Sequence, residues 1–122
     1  PYLVQEIRGP DLSILQTTEP TQFEDALKPS NSLSLTEMLV NVVENGTGSN
    51  AQIAGVRVAG KTGTAQTGND SPSVAWFISF APAAAPKVAV AVVIEESGFA
   101  EVSGNGLAAP IAKAVMKAVL GR

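Results

Sequence analysis

The chain has no cysteine and no histidine among its 122 residues. Those absences exclude disulfides, thiol nucleophiles, Ser-His-Asp triads and nearly every zinc site, because each needs a sulfur or an imidazole. Basic charge is scarce too. Eight Lys plus Arg stand against eleven Asp plus Glu, a net charge of −3, and no basic cluster offers a field for a phosphate backbone, so nucleic acid is not an expected partner. The longest apolar run, 88–94, is far too short to span a bilayer. The only methionines are Met38 and Met116, and the chain opens on Pro1. The expectation is therefore a piece of a longer protein, with its natural N-terminus and any membrane anchor upstream. What is present suffices for one domain: 45% of the residues are hydrophobic, enough to bury a core at this length.

Residues 1–29 are weakly patterned and read as a peripheral ribbon, with strand-like stretches at 2–7 and 12–18 around a Gly-Pro-Asp turn. Residues 30–122 form the main unit. A helix is expected to start between Ser30 and Ser34. Ser34 and Glu37 have capping-box spacing, and Leu35, Met38, Leu39, Val42 and Val43 make one apolar stripe that Gly46 ends. Three strand signals follow, at 56–66, 74–81 and 87–95. They are joined by turn chemistry at 67–73 and by the Pro-flanked segment 82–86, both too short for a crossover helix, so the strands should be antiparallel neighbours. Strands 74–81 and 87–95 are apolar on both faces, which predicts cover on both. A closing helix at 107–120 is expected to supply one cover with Leu107, Ile111, Val115 and Val119, leaving Lys113 and Lys117 wet. The predicted class is α+β, a three-stranded antiparallel sheet flanked by helices.

One pattern match has to be weighed first. Gly55, then 56–59, then Gly60-Lys61-Thr62 satisfies the P-loop formula, and 90–95 imitates an apolar strand ending in an acid. A P-loop, however, is a glycine-rich turn whose amides and following helix N-terminus face phosphate. Here Val56-Arg57-Val58-Ala59 alternates like a strand and the residues after Thr62 cannot open a helix, so nucleotide binding is the alternative and not the main reading.

The same residues fit the edge of an acyl-transfer cleft. Period two sends Lys61 and Gly63 to one side of a strand and Thr62 and Thr64 to the other. They can serve one ligand only if it lies along the strand's edge as an added strand. Gly63 then permits close approach. Lys61 brings a positive charge, the Thr62 and Thr64 hydroxyls bring donors for a carboxylate, and an amide just past the triplet can help hold an oxyanion. A plain strand with a solvated lysine and a glycine bulge fits the three letters equally well.

Lys61-Thr62-Gly63 is one of three motifs, with Ser-x-x-Lys and Ser-x-Asn, that penicillin-binding proteins and class A β-lactamases share. Taken with Val42-Val43-Glu44-Asn45-Gly46-Thr47-Gly48, Ala65-Gln66, Ala75-Trp76-Phe77-Ile78-Ser79-Phe80-Ala81-Pro82 and the strand 88–95, it resembles the C-terminal part of the transpeptidase domain of class B penicillin-binding proteins, over essentially the whole chain. The resemblance implies a partial β-lactamase/transpeptidase-like fold. It also implies a D,D-transpeptidase that cross-links peptidoglycan by serine acyl transfer and is acylated by β-lactams. Lys61, Thr62 and Gly63 would be its third motif, Thr64 the donor of an oxyanion-hole amide, and Thr62, Thr64 and Gln66 the substrate-binding residues. No metal or cofactor is expected. The implied partners are a peptidoglycan stem peptide, β-lactams and the missing N-terminal part of the same protein. The implied location is extracytoplasmic, with the anchor in that missing part.

Two departures qualify the resemblance. No Ser-x-x-Lys occurs anywhere, so the isolated chain should be inactive; cut from its parent it should expose apolar surface and unpaired strand edges, and so self-associate or co-purify with the missing fragment. Ser103-Gly104-Asn105 fits Ser-x-Asn but follows the triplet instead of preceding it, and reads as a loop and helix cap. The segment Glu37-Met38-Leu39-Val40-Asn41 only faintly echoes the hydrolytic segment of class A β-lactamases and stands too close to Lys61 in sequence, which disfavours that activity. A non-catalytic sensor or scaffold of the same fold is the further alternative.

Overall fold

A computed structural model describes residues 2–22, 24–66, 73–95 and 102–122. The turn expected at 67–73 lies outside the described residues apart from Ser73. The chain opens with a hairpin of β1 (Glu6–Arg8) and β2 (Ile14–Thr17), whose Ile7, Ile14 and Leu15 are exposed. Helix α1 (Pro29–Glu44) follows, then β3 (Ala59–Ala65), β4 (Val74–Ala81), β5 (Val88–Ile94) and helix α2 (Ala109–Leu120). The strands β3, β4 and β5 form one antiparallel sheet in the order β3-β4-β5.

Helix α1 starts at Pro29, ahead of the expected window. A proline at the first helical position loses no hydrogen bond, and Lys28 before it is extended, at ψ 144°, as a pre-proline residue must be. Ser34 and Glu37 therefore lie inside the helix and form no capping box. The Glu37 carboxylate instead receives both terminal nitrogens of Arg57, at 3.2 and 2.8 Å, which holds its pKa below the ordinary range and raises that of Arg57. Both side chains are exposed, so this pair ties the segment before β3 to α1 without adding much stability. The strand expected from 56 begins only at Ala59. Gly55, at φ 74°, turns the chain so that Val56 bridges back to Ile53.

The two faces of the sheet differ, contrary to the expectation that both are covered. Phe77 and Ala81 of β4 pack with Val88, Val90, Val92 and Ile94 of β5 beneath α2, and Ala75, fully buried, pairs with Ile94. On the other face α1 reaches only one end, where Val40 and Leu39 meet Ala59, Ala83 and Phe80. Trp76 and Ile78 stay 42% and 51% exposed there. An apolar trough of about 330 Å³, lined by Leu39, Ile78, Phe80, Ala89 and Ala91, runs along this open face.

Helix α2 is also rotated from its expected setting. Ala109, Ala112 and Met116 are buried, with Ala108 just ahead of them and Leu120 packed against the same cluster, whereas Ile111, Val115 and Val119 are exposed. The helix is apolar nearly all round, so two stripes have helical spacing. The small-residue stripe lies inward because the β5 valines and Phe77 already fill the layer beneath it, leaving room for alanines and one unbranched methionine. Gly121, left-handed at φ 68°, ends the helix as expected. Among the described residues no helix is long and apolar enough to cross a membrane.

Candidate active site

Among the described residues strand β3 is an edge of the sheet, paired with β4 alone. Its register sets each side chain of the motif. Lys61 lies opposite Ile78 and Gly63 opposite Trp76, so both belong to the open face; Thr62 lies opposite Phe77 and Thr64 opposite Ala75, on the α2 side. This is the division that period two predicts. Lys61 is exposed, and its ammonium folds along the strand to donate to the Thr62 carbonyl at 2.8 Å, with Thr62 Oγ1 at 3.5 Å. Thr62 is half-buried. Thr64 is exposed, as is Gln66, one residue past the strand. The five residues thus line one sheet margin, and its outer edge leaves strand backbone groups open to an extended ligand.

This geometry overturns the P-loop alternative. Lys61 and Thr62 sit mid-strand, the strand runs on through Ala65 where a P-loop would open a helix, and the nearest positive-φ glycine on the N-terminal side, Gly55, belongs to the turn that precedes the strand. The amides are committed to a ladder or to its edge and do not converge on a phosphate.

Close backbone packing holds the motif from beneath. A Cβ on Gly60 would stand 2.7 Å from Phe77 Cζ and 3.1 Å from the Ile78 carbonyl oxygen. A Cβ on Gly63 would meet the Trp76 side chain, with Cβ at 3.2 Å and Cγ at 4.0 Å. Gly104 is the tightest: a Cβ there would lie 2.2 Å from the Trp76 carbonyl oxygen and 3.0 and 3.1 Å from the Gly63 oxygen and nitrogen. The wide helical turn Gly104–Ala108 that leads into α2 therefore rests its first residue directly on the backbone of the triplet. Ser103 caps this turn, as expected, its Oγ accepting from the Gly106 amide at 3.0 Å. Asn105 joins it to the segment after α1. Its Oδ1 accepts from the Asn50 amide and its carbonyl from Asn50 Nδ2, both at 3.0 Å.

Sequence reasoning missed Gly104 and Thr47 as neighbours of the motif, and Asn105 as the tie that holds the Gly104 turn to the segment after α1. Thr47 Oγ1 lies 2.9 Å from Thr62 Oγ1. The available signals were the paired glycines in 46–48 and 104–106, which mark close backbone approach but do not say to what. A larger hollow, about 1040 Å³ and lined by Val43, Gln52, Ile53, Arg57, Pro110 and Lys113 among others, includes none of the motif residues. It carries no converging chemistry comparable to the β3 margin.

The family model described as the penicillin binding protein transpeptidase domain matches residues 1–117. The peptidoglycan D,D-transpeptidase PbpA of Mycolicibacterium smegmatis is 46% identical over 98% of this chain and 25% of its own length. The stage V sporulation protein D of Bacillus subtilis is 32% identical over 96% of this chain and 19% of its own. Among solved structures, penicillin-binding protein A from M. tuberculosis as its ceftriaxone acyl-enzyme complex superposes with a TM-score of 0.80 at 45% identity, over 98% of this chain and 28% of that one. The chain spans between 19% and 28% of the length of these relatives.

Proposed function

We propose that this chain, which belongs to the penicillin-binding protein transpeptidase family, completes the active site of a serine D,D-transpeptidase that cross-links peptidoglycan and is acylated by β-lactams. The observation that carries this reading is the free margin of β3 with Lys61, Thr62, Gly63 and Thr64 displayed along it. The relatives' names and the acyl-enzyme neighbour support it.

In this mechanism a serine from the part of the protein outside this chain attacks the penultimate D-Ala carbonyl. Its hydroxyl proton passes, by way of a neighbouring base, to the amine of the departing D-Ala. The carbonyl oxygen, negative in the tetrahedral intermediate, is held by the Thr64 amide and the amide of the nucleophile. A second strand's amine then attacks the ester, restoring the serine hydroxyl. A β-lactam enters by the same first step, and its amide bond opens without a leaving group departing. Lys61 and the hydroxyls of Thr62 and Thr64 anchor the carboxylate, and Gln66 lines the same margin. The location that goes with this substrate is the extracytoplasmic face of the membrane.

The open face of the sheet fits the remainder of the domain as its partner. Trp76, Ile78, Val93, Leu35 and Met38 are all exposed, apolar surface that a monomeric protein ordinarily covers. Isolated, the chain is expected to self-associate or to co-purify with the missing part. Sedimentation showing a monomer at high concentration, with no binding of a dye for apolar surface, contradicts this.

The function itself is tested with fluorescent penicillin and intact mass. The parent protein is expected to take up one equivalent covalently and the isolated chain none. A stoichiometric adduct on the isolated chain overturns the assignment of the nucleophile to the missing part. A folded parent that stays unlabelled overturns the whole reading.

A further inference from the structure

Lys61, Thr62 and Gly63 account for the motif but not for the turn beside it, which brings another hydroxyl to the site. Gly46 and Gly48 flank Thr47 and hold it in place. The Gly48 amide donates to the Val42 carbonyl at 2.9 Å, and a Cβ on Gly48 would press Phe77 Cε2 and the Val42 oxygen, each at 3.3 Å. A Cβ on Gly46 would lie 3.0 Å from the same oxygen. Behind the turn, Gln52 Nε2 donates to the Val43 and Glu44 carbonyls at 2.9 and 3.0 Å, closing the end of α1. The turn is thus seated on Phe77, the β4 residue opposite Thr62, and this is why Thr47 Oγ1 reaches Thr62 Oγ1 at 2.9 Å.

We infer that Thr47 is a positioning residue for the acyl-transfer site: it donates to Thr62 Oγ1 and so leaves the Thr62 proton free for an anionic ligand. The inference rests on the reading of the triplet given above. A threonine hydroxyl has one proton and two acceptor positions. At Thr62 one acceptor position faces the Lys61 ammonium, which can only donate, at 3.5 Å. Donation from Thr47 fills the other, and the remaining Thr62 proton then points away from both neighbours. In the opposite orientation Thr62 spends its proton on Thr47 and has none to offer a carboxylate. Thr47 touches no substrate in this scheme; it sets the direction of a hydroxyl that does.

The test uses the parent protein with Thr47→Val, Thr47→Ser, Thr62→Val and the Thr47→Val/Thr62→Val double variant. The measurement is the second-order rate of acylation by a carboxylate-bearing penicillin. Thr47→Val is expected to slow acylation about three- to tenfold, the range for one neutral hydrogen bond. Thr47→Ser is expected to restore most of the rate, and the double variant to be no slower than Thr62→Val alone, because Thr47 acts through Thr62. Thr47→Ala, which adds no apolar methyl to an exposed turn, gives a second measure of hydroxyl loss should the valine disturb folding. Thr62→Val slow with Thr47→Val and Thr47→Ala at the wild-type rate overturns this proposal alone, as do multiplicative losses in the double variant. Thr62→Val at the wild-type rate overturns both this proposal and the active-site reading of the triplet.

Discussion

Lys61→Ala in the parent protein is expected to slow β-lactam acylation by about ten- to a hundredfold while leaving Tm nearly unchanged. A charge-assisted hydrogen bond contributes roughly 1.5–3 kcal/mol, and about 1.4 kcal/mol is a factor of ten in rate. Little stability is at stake, because Lys61 is exposed at the margin of the sheet and, among the described residues, its hydrogen bonds go to Thr62, its own neighbour in sequence. Lys61→Arg should recover only part of the rate, since a planar fork does not replace a compact ammonium beside the Thr62 carbonyl. If Lys61 is a solvated strand residue and nothing more, both variants acylate at the wild-type rate. A loss of rate matched by a large fall in Tm points instead to a structural cause.

Gly104→Ala is expected to be the most damaging added methyl among the described glycines. The added carbon falls 2.2 Å from the Trp76 carbonyl oxygen and within about 3 Å of the Gly63 nitrogen and oxygen. All three are backbone atoms of paired strands, so no side-chain rotation relieves the clash, and either the 104–108 turn or the β3-β4 ladder has to move. Overpacking of this kind costs roughly 1–3 kcal/mol and sometimes more. Because the displaced strand carries the triplet, acylation should fall with Tm. Gly63→Ala makes the contrast: its Cβ meets the Trp76 side chain, with Cβ at 3.2 Å and Cγ at 4.0 Å, and no backbone atom among the described residues, so stability should change less while the cleft narrows. Thermal melts and acylation rates on the two variants separate these effects. An unchanged Tm in Gly104→Ala contradicts the close packing of that turn on the triplet.

Those two glycines show how the site was and was not legible. Gly63 stands inside a motif, and the alternation of Lys61, Thr62, Gly63 and Thr64 told which side each residue takes, because a strand has only two faces. Gly104 lies about forty positions later in a loop, and no local rule connects it to Gly63. The same holds for Thr47, whose flanking glycines promised a close approach without naming Phe77 or Thr62 as what is approached. Helix α1 illustrates a different limit. The Ser34-Glu37 spacing pointed to a start inside 30–34, but the helix begins at Pro29, and the Glu37 carboxylate that a capping box would have used goes to Arg57, distant in sequence.

By itself the sequence determined the element order, the antiparallel pairing and the family, through features that are local: apolar period, turn composition and the continuous strings around Lys61-Thr62-Gly63. Only the tertiary structure decided which face of an all-round apolar helix turns inward, and which face of β4 α2 covers. Those choices depend on volumes contributed by other elements. Met116 and three alanines fit over the β5 valines where Ile111, Val115 and Val119 do not. The structure likewise decided that two remote glycine turns brace the triplet, because contact between backbones far apart in the chain leaves no periodic trace in it.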